Sequence, residues 1–173
     1  MILRARLLLA SIAALAASVG ALAQPAQEYE LKAAFVYNFI QFTQWPEGAL
    51  SSGTLNICAS PGSPMLGALQ GIAGKSSQGV VITLMPLQLE RVSVCNVVVV
   101  DGTGNPRLVQ LRKSVDNRPI LIVSDFPEGL ADGAIIAMDV DGSRIVFNID
   151  NTRAVDVRLN ISSRLLRLAR NVR

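Results

Sequence analysis

Apolar and polar residues follow one another along the chain with two different periods. From residue 31 to residue 42 the large apolar residues recur every three or four positions, which predicts an amphipathic helix over 28–43. Its core-facing stripe is expected to consist of Leu31, Phe35, Phe39 and Phe42, widened by Val36 and Ile40. The same period predicts further helices over 63–74, over 105–117, and from Ser162 or Ser163 to the end of the chain.

Short apolar runs between these helices predict strands over 54–59, 79–85, 95–102 and 119–125. The run Val97–Val100 contains no polar position, as expected for a central strand of a parallel sheet that is covered on both faces. Further on, two apolar runs flank Asp141-Gly142, a turn sequence typical of a β-hairpin.

The alternation of strands and helices predicts an α/β fold with a single domain. We expect a three-layer sandwich whose largely parallel sheet ends in an antiparallel hairpin. An aromatic-rich helix stands at the N-terminus of this arrangement, and a basic amphipathic helix at its C-terminus.

Residues 28–46, EYELKAAFVYNFIQFTQWP, hold six of the eight aromatic residues of the chain. A core helix or a binding surface could explain this concentration. Burying five rings and a leucine could supply on the order of 10 kcal/mol, so we expect mainly core. Tyr37 falls away from the apolar stripe and Trp45 follows the helix, and both can keep a polar edge exposed. A ligand or dimer contact at Tyr37 and Trp45 is a further hypothesis.

The first 23 residues have the pattern of a secretory signal peptide. Arg4 and Arg6 precede an apolar run of 11 residues, and Ala21-Leu22-Ala23 forms an A-x-A cleavage site. The run is shorter than the roughly 20 residues that a membrane-spanning helix needs. We expect cleavage after Ala23, with retention as an N-terminal anchor the alternative. The product would be an exported, soluble domain of residues 24–173 that does not span the membrane.

Charge narrows the class of partner. Removing residues 1–23 takes two of the 16 Lys and Arg residues, which leaves 14 against 13 Asp and Glu, a net charge of +1. A nearly neutral domain is not expected to bind nucleic acid. Residues 144–173 nevertheless hold seven arginines against Asp150 and Asp156. They could form a solvated face or a docking surface for an acidic protein or anionic lipid.

Candidates for catalysis are few. The chain has no histidine, which excludes Ser-His-Asp and Cys-His nucleophiles and histidine-based zinc sites. Gly102 and Gly104 follow a predicted strand as in a dinucleotide-binding loop, but Arg107 occupies the third glycine position, so a tight turn is the better interpretation. Asp125 and Glu128 could share acid/base work, although solvated loop residues are the simpler expectation. We expect that the protein is not an enzyme and that it has no catalytic residue, no metal ion and no cofactor.

Cys58 and Cys95 are the two cysteines of the chain. In an exported protein an even number of cysteines favours a disulfide. The alternative is that both are small buried apolar side chains on adjacent strands.

Taken together, these segments resemble the YfiR/HmsC family of periplasmic proteins. The resemblance rests on six stretches that span residues 28–169 in the family's order: EYELKAAFVYNFIQFTQWP, LNICA, CNVVVV, ILIVSDF, GAIIAMDVDGSRIVFNID and LNISSRLLRLA. Asp132-Gly133 replaces the family's usual paired glycine, and a second disulfide found in some members has no counterpart here.

The resemblance implies a regulator that binds the periplasmic sensor domain of an inner-membrane diguanylate cyclase and keeps it inactive. Cyclic-di-GMP synthesis and biofilm formation would rise when the repressor is released, and redox state is linked to that release. The resemblance further implies a homodimer, with the Cys58–Cys95 disulfide maintaining the fold. A periplasmic small-molecule binding protein is the alternative, with a pocket near Trp45 and the loops 60–63 and 102–105.

We expect the partner to bind the antiparallel end of the sheet and the helix that follows, because helices cover the parallel strands on both faces. The candidate contacts combine an apolar strand with fixed positive charge, the kind of anchor that dominates protein interfaces. They are Ile145, Phe147, Arg164, Arg167 and Arg170.

Overall fold

The structure is a computed structural model that describes residues 23–50, 53–102, 105–115 and 117–173, without the side chains of 23–25, 105–107 and 109. The predicted signal peptide, apart from Ala23, lies outside these residues, as does Gly104. The α-helices are α1 (Ala23–Gln41), α2 (Pro64–Leu69), α3 (Asn105–Val115), α4 (Gly129–Asp132), α5 (Asn151–Asp156) and α6 (Ser163–Leu166). None of the helices in this described part is long and apolar enough to cross a membrane.

The strands are β1 (Thr43–Gln44), β2 (Thr54–Ala59), β3 (Ser76–Ser77), β4 (Val80–Pro86), β5 (Val97–Val100), β6 (Leu121–Ser124), β7 (Ile136–Asp141), β8 (Arg144–Ile149), β9 (Asn160–Ile161) and β10 (Asn171–Val172). Short 3-10 helices follow α2 at Gln70–Ile72 and β4 at Leu89–Val94.

In the described part of the chain, a central sheet has the strand order β10-β8-β7-β6-β5-β2-β4-β3. The five strands from β4 to β7 are parallel, and β8 runs antiparallel to β7. The order of the parallel strands is that of flavodoxin-like sheets, in which the strand order reverses between β2 and β5. β1 and β9 form a separate antiparallel pair. The predicted α/β fold with a largely parallel sheet is confirmed.

The central strands are buried on both faces. Every residue of Val97–Val100 and of Leu121–Ser124 is at most 2% exposed, as the uninterrupted apolar runs predicted. One apolar cluster joins α1 and α2 to the sheet, and a second joins α3 and the 3-10 helix Leu89–Val94 to the opposite face. Helices on both faces make the three predicted layers.

The predicted hairpin is confirmed as β7 and β8. Asp141 pairs with Arg144, so Gly142 and Ser143 form a two-residue turn. Gly142 has φ +63°, which a residue with a side chain rarely adopts. This turn sets the register in which Met138 faces Phe147 and Val140 faces Ile145.

The structure confirms the burial of Val36, Phe39 and Ile40 in α1 and corrects that of Leu31. The buried positions are Lys32, Ala33, Val36, Phe39 and Ile40, which have helical spacing. Leu31, which the sequence assigned to the core, is 42% exposed, and Phe35 and Phe42 are half-buried. The buried face of α1 is therefore centred on Val36, Phe39 and Ile40 as predicted, and it includes Lys32 and Ala33 in place of Leu31.

The prediction of a C-terminal amphipathic helix is confirmed for its first turn and wrong beyond Leu166. Ser162 caps α6 by accepting a hydrogen bond from the Arg164 backbone N–H, but α6 ends at Leu166. The chain then extends along β8, where the Arg170 N–H donates to the Phe147 carbonyl at 2.8 Å and the Arg173 N–H donates to the Ile149 carbonyl at 3.1 Å. Backbone groups that a longer helix would bond internally are thus used to pair with the sheet edge.

Candidate functional site

Charged side chains gather at the carboxyl ends of the parallel strands, where ligands bind in many α/β folds. Lys32 of α1 is 4% exposed. Its Nζ lies 2.7 Å from Glu28 Oε1, 3.1 Å from the Asp125 carbonyl oxygen and 3.8 Å from Asp125 Oδ2. These contacts tie the first half of α1 to the end of β6.

Asp125 differs from the solvated loop residue that the sequence predicted, because it is only 8% exposed. Burial raises the pKa of its carboxyl, the nearby Lys32 ammonium lowers it, and Asp101 raises it. Glu128 is exposed, as expected. The Lys32–Asp125 pair is therefore a buried structural contact. Removing one partner of such a pair typically costs about 3–5 kcal/mol of stability.

Ile145 and Phe147, two predicted partner contacts, lie in the core. Ile145 is 9% exposed and Phe147 4% exposed. The Phe147 ring packs against the rings of Phe35 and Phe39, with centroids 6.0 Å and 5.0 Å apart. Phe147 offers no accessible contact surface, and Ile145 offers only the small part that lines a groove beside α1, so the expectation of an exposed apolar strand is corrected. The aromatic helix is mainly core.

Tyr37 and Trp45 lie at the other end of α1, near the amino ends of the parallel strands. Tyr37 Oη donates to the Ser76 carbonyl oxygen at 3.3 Å, and Lys75 Nζ lies 5.2 Å from the centroid of the tyrosine ring. Trp45 Nε1 is buried without a hydrogen-bond partner among the described residues.

The structure separates Trp45 from the loops with which the sequence grouped it in a ligand pocket. Gln78, just before β4, donates through Nε2 to the carbonyls of Ile40 and Thr43. This places the end of α1 at the amino edge of the sheet, whereas Ser60 and Gly102 follow the carboxyl ends of β2 and β5. A single pocket formed by Trp45 and these loops is therefore corrected.

The three candidate arginines have different environments. Arg170 binds the hairpin, with Nη1 3.2 Å from Asp139 Oδ2 and Nη2 2.6 Å from Asp141 Oδ2. Arg164 and Arg167 are exposed, and no ion pair is formed by either among the described residues. Leu168 beside them is 70% exposed. Arg164, Arg167 and Leu168 together form what we term the C-terminal basic surface.

A groove that the sequence did not indicate runs between α1 and the hairpin tip. Its volume is about 760 Å³, and Leu31, Ala34, Val140 and Ile145 contribute its apolar lining, with Glu28 and Glu30 also lining it. Leu31 and Val140 are each 42% exposed. In the sequence, the apolar residue Leu31 was the signal for this groove. Periodicity alone placed Leu31 in the core, because it could not show that the neighbouring Lys32 is buried instead.

Cys58 and Cys95 form a disulfide, as predicted, with their Cα atoms 5.9 Å apart. Cys58 is in β2 and Cys95 lies two residues before β5, so the bond links these neighbouring parallel strands at the point where the strand order reverses. Both residues are at most 3% exposed. The described residues contain no group of three or more Cys, Asp or Glu side chains that could hold a metal ion.

Comparison with known proteins identifies the family. The family model described as YfiR/HmsC-like (DUF4154) matches residues 29–170. The chain belongs to the YfiR/HmsC-like family. A search of curated proteins found no match.

Solved structures share the fold at low identity. A conserved domain protein from Vibrio cholerae O1 biovar El Tor is 11% identical with a TM-score of 0.58, over 84% of this chain and 60% of that one. The ABC domain from Streptococcus pneumonia, solved in complex with L-Trp, is 11% identical with a TM-score of 0.50, over 69% of this chain and 55% of that one. The chain thus spans less than two thirds of either structure.

Proposed function

We propose that this member of the YfiR/HmsC-like family is a periplasmic regulatory binding protein. It represses an inner-membrane diguanylate cyclase by binding the cyclase's periplasmic sensor domain, and so lowers cyclic-di-GMP and biofilm formation. The observation that supports this proposal is the family match over residues 29–170, nearly all of the part that follows the predicted signal peptide.

The C-terminal basic surface is the candidate contact for the sensor domain. Arg164 and Arg167 present guanidinium groups that no carboxylate among the described residues occupies, next to the exposed side chain of Leu168. Exposed arginine beside an aliphatic side chain suits an acidic protein surface, because charge steers the encounter and apolar contact slows dissociation. A homodimer would present this surface twice.

Gene deletion tests the regulatory function. Deleting the gene should raise intracellular cyclic-di-GMP and surface attachment, and a copy encoding residues 1–173 should reverse both. A copy that encodes only residues 24–173 should not complement, because it would remain in the cytoplasm. Unchanged cyclic-di-GMP in the deletion strain, with the cyclase demonstrably expressed, would contradict repression.

A paired charge reversal tests the contact surface separately. Arg164→Glu with Arg167→Glu should weaken capture of the cyclase from solubilised inner membrane, and the defect should depend on salt concentration. Arg91→Glu with Lys113→Glu makes the same charge change at exposed basic residues away from the hairpin and the C-terminal segment and should leave capture intact. If both double variants bind like the parent at low and physiological salt, the sensor domain does not use the C-terminal basic surface.

A further inference from the structure

A second cavity, unrelated to the C-terminal basic surface, opens at the amino edge of the sheet. It measures about 560 Å³ and lies between α3, α5 and the ends of β6 and β10. Ile122, Ile135 and Val157 contribute apolar wall. The proposed repression of a cyclase assigns no role to this cavity.

Arginine dominates the polar lining of the cavity. Among the described lining residues, four arginines face two aspartates, Asp150 and Asp156. The four are Arg112, Arg118, Arg153 and Arg173. This lining therefore carries a formal excess of two positive charges.

Two of these arginines are held in place by the fold. Arg173 Nη2 lies 2.8 Å from Asp150 Oδ2 and donates to the Leu130 carbonyl at 3.0 Å. Arg153 Nη1 donates to the Gly133 carbonyl at 3.1 Å. By contrast, Arg112 and Arg118 form no ion pair or side-chain hydrogen bond within the part of the chain that the structure describes. The cavity thus combines two fixed guanidinium groups with two that are available to a ligand.

Gly133 brings Arg112 and Arg153 together. A Cβ atom at this position would lie 2.8 Å from Arg112 Cδ and 3.0 Å from Arg153 Nη1, and the residue has φ +114°. A side chain here would require both arginines to shift, and the positive φ itself favours glycine. Burial, and then the neighbouring Arg112, lower the pKa of Arg153; Asp150 and Asp156 oppose this shift, and Arg173 adds to it. A bound anion would favour the charged form of Arg153, as the two aspartates do.

We propose that this arginine-lined cavity binds a small organic dianion, either a phosphate ester or a dicarboxylate. A dianion would neutralise the excess charge of the described lining. Guanidinium groups bind phosphate and carboxylate oxygens in pairs, and the apolar wall of Ile122, Ile135 and Val157 would accommodate the carbon body of the ligand.

Thermal unfolding of the mature domain with inorganic phosphate, malonate or chloride at equal ionic strength tests this proposal. Phosphate or malonate should raise Tm in a saturable manner, and chloride should not. Changing Arg112→Gln and Arg118→Gln together should weaken dianion binding by about tenfold or more, because hydrogen bonds to charged groups are lost. Arg91→Gln with Arg144→Gln is the matched control for charge and should bind like the parent.

Asp156→Asn supplies a change of opposite sign that does not depend on a loss of function. It removes a negative charge from the cavity lining and should tighten dianion binding by a few fold. Binding of only one of the two dianions would support the proposal and identify the ligand's acidic group. Equal Tm shifts with chloride, or shifts that persist unchanged in the Arg112/Arg118 variant and in Asp156→Asn, would overturn it.

Discussion

Lys32 determines how the first half of α1 packs. Its aliphatic chain lies in the core stripe beside Ala33 and Val36, and its ammonium reaches Glu28 and Asp125. A long side chain can cover apolar surface in this way while its charge is paired. Lys32 thus occupies the core position that periodicity assigned to Leu31, and Leu31 is left on the groove beside the hairpin.

The free energy of unfolding of Asp125→Asn, compared with that of the parent, should depend on pH because the Asp125 carboxyl is buried. Because burial raises the pKa of Asp125, the folded protein binds this proton more tightly than the unfolded chain does. The resulting stability is fully present below the unfolded pKa of about 3.9 and is lost as pH rises through the higher folded pKa. The free energy of unfolding of Asp125→Asn, relative to the parent, should therefore increase from about pH 3 to neutral pH.

Denaturant unfolding of the mature domain at a series of pH values measures this difference. Glu90→Gln, which removes an exposed carboxylate, is the control for the loss of one negative charge. A difference between Asp125→Asn and the parent that stays constant with pH would mean that the Asp125 carboxyl titrates as it does in the unfolded chain. The sequence could not predict this behaviour, since nothing in the local pattern SDFPEG shows that Asp125 meets a lysine 93 positions earlier.

At the scale of elements, the sequence correctly predicted the strands with uninterrupted apolar runs and the hairpin with a specific turn sequence. The runs in β5 and β6 and the Asp141-Gly142 turn were read correctly because burial on both faces and a two-residue turn leave strong local signals. The stretch SRLLRLARNVR has equally good helical spacing, yet only its first turn is helical. Its second half pairs with β8 instead, a tertiary contact that outweighs local propensity.

Arg170→Ala should loosen β10 while leaving the rest of the sheet intact. Arg170 bridges Asp139 and Asp141 on β7 and is partly exposed, so we expect a loss of roughly 1 kcal/mol, at the upper end for exposed pairs. Hydrogen exchange should quicken at the Arg173 N–H, which donates to the Ile149 carbonyl. Arg167→Ala, at an exposed arginine of the same segment, is the control and should change neither quantity. Equal exchange in both variants would show that the ion pairs do not hold β10.

At the scale of the whole molecule, sequence patterns predicted a covered parallel sheet but not its strand order. The order depends on which side of β2 each following strand takes, and β4 and β5 take opposite sides. The short connection Leu89–Val94, whose 3-10 helix the periodicity missed, carries the chain back across the sheet. The arginine-lined cavity was missed for the same reason, because its side chains come from α3, α5 and the end of β10.

The disulfide links β2 to the start of β5, where the strand order of the sheet reverses. The bond between Cys58 and Cys95 closes a segment with a sequence separation of 37, and this segment contains α2, β3 and β4. Cross-linking a loop of that length should stabilise the fold by about 3–4 kcal/mol through the entropy of the unfolded chain. Because both sulfurs are buried in an apolar cluster, valine can replace both cysteines without placing an unpaired polar group in the core.

Replacing Cys58→Val together with Cys95→Val should therefore lower the free energy of unfolding by about 3–4 kcal/mol and Tm by roughly 6–16 °C, while the far-UV spectrum is retained. A reductant should lower Tm of the parent by a similar amount and leave the double variant unchanged. Thiol titration of the denatured, unreduced parent recovered from its native compartment should find no free cysteine. Two reactive thiols in that preparation, or a double variant as stable as the parent, would contradict a cross-link that stabilises the reversal between β2 and β5.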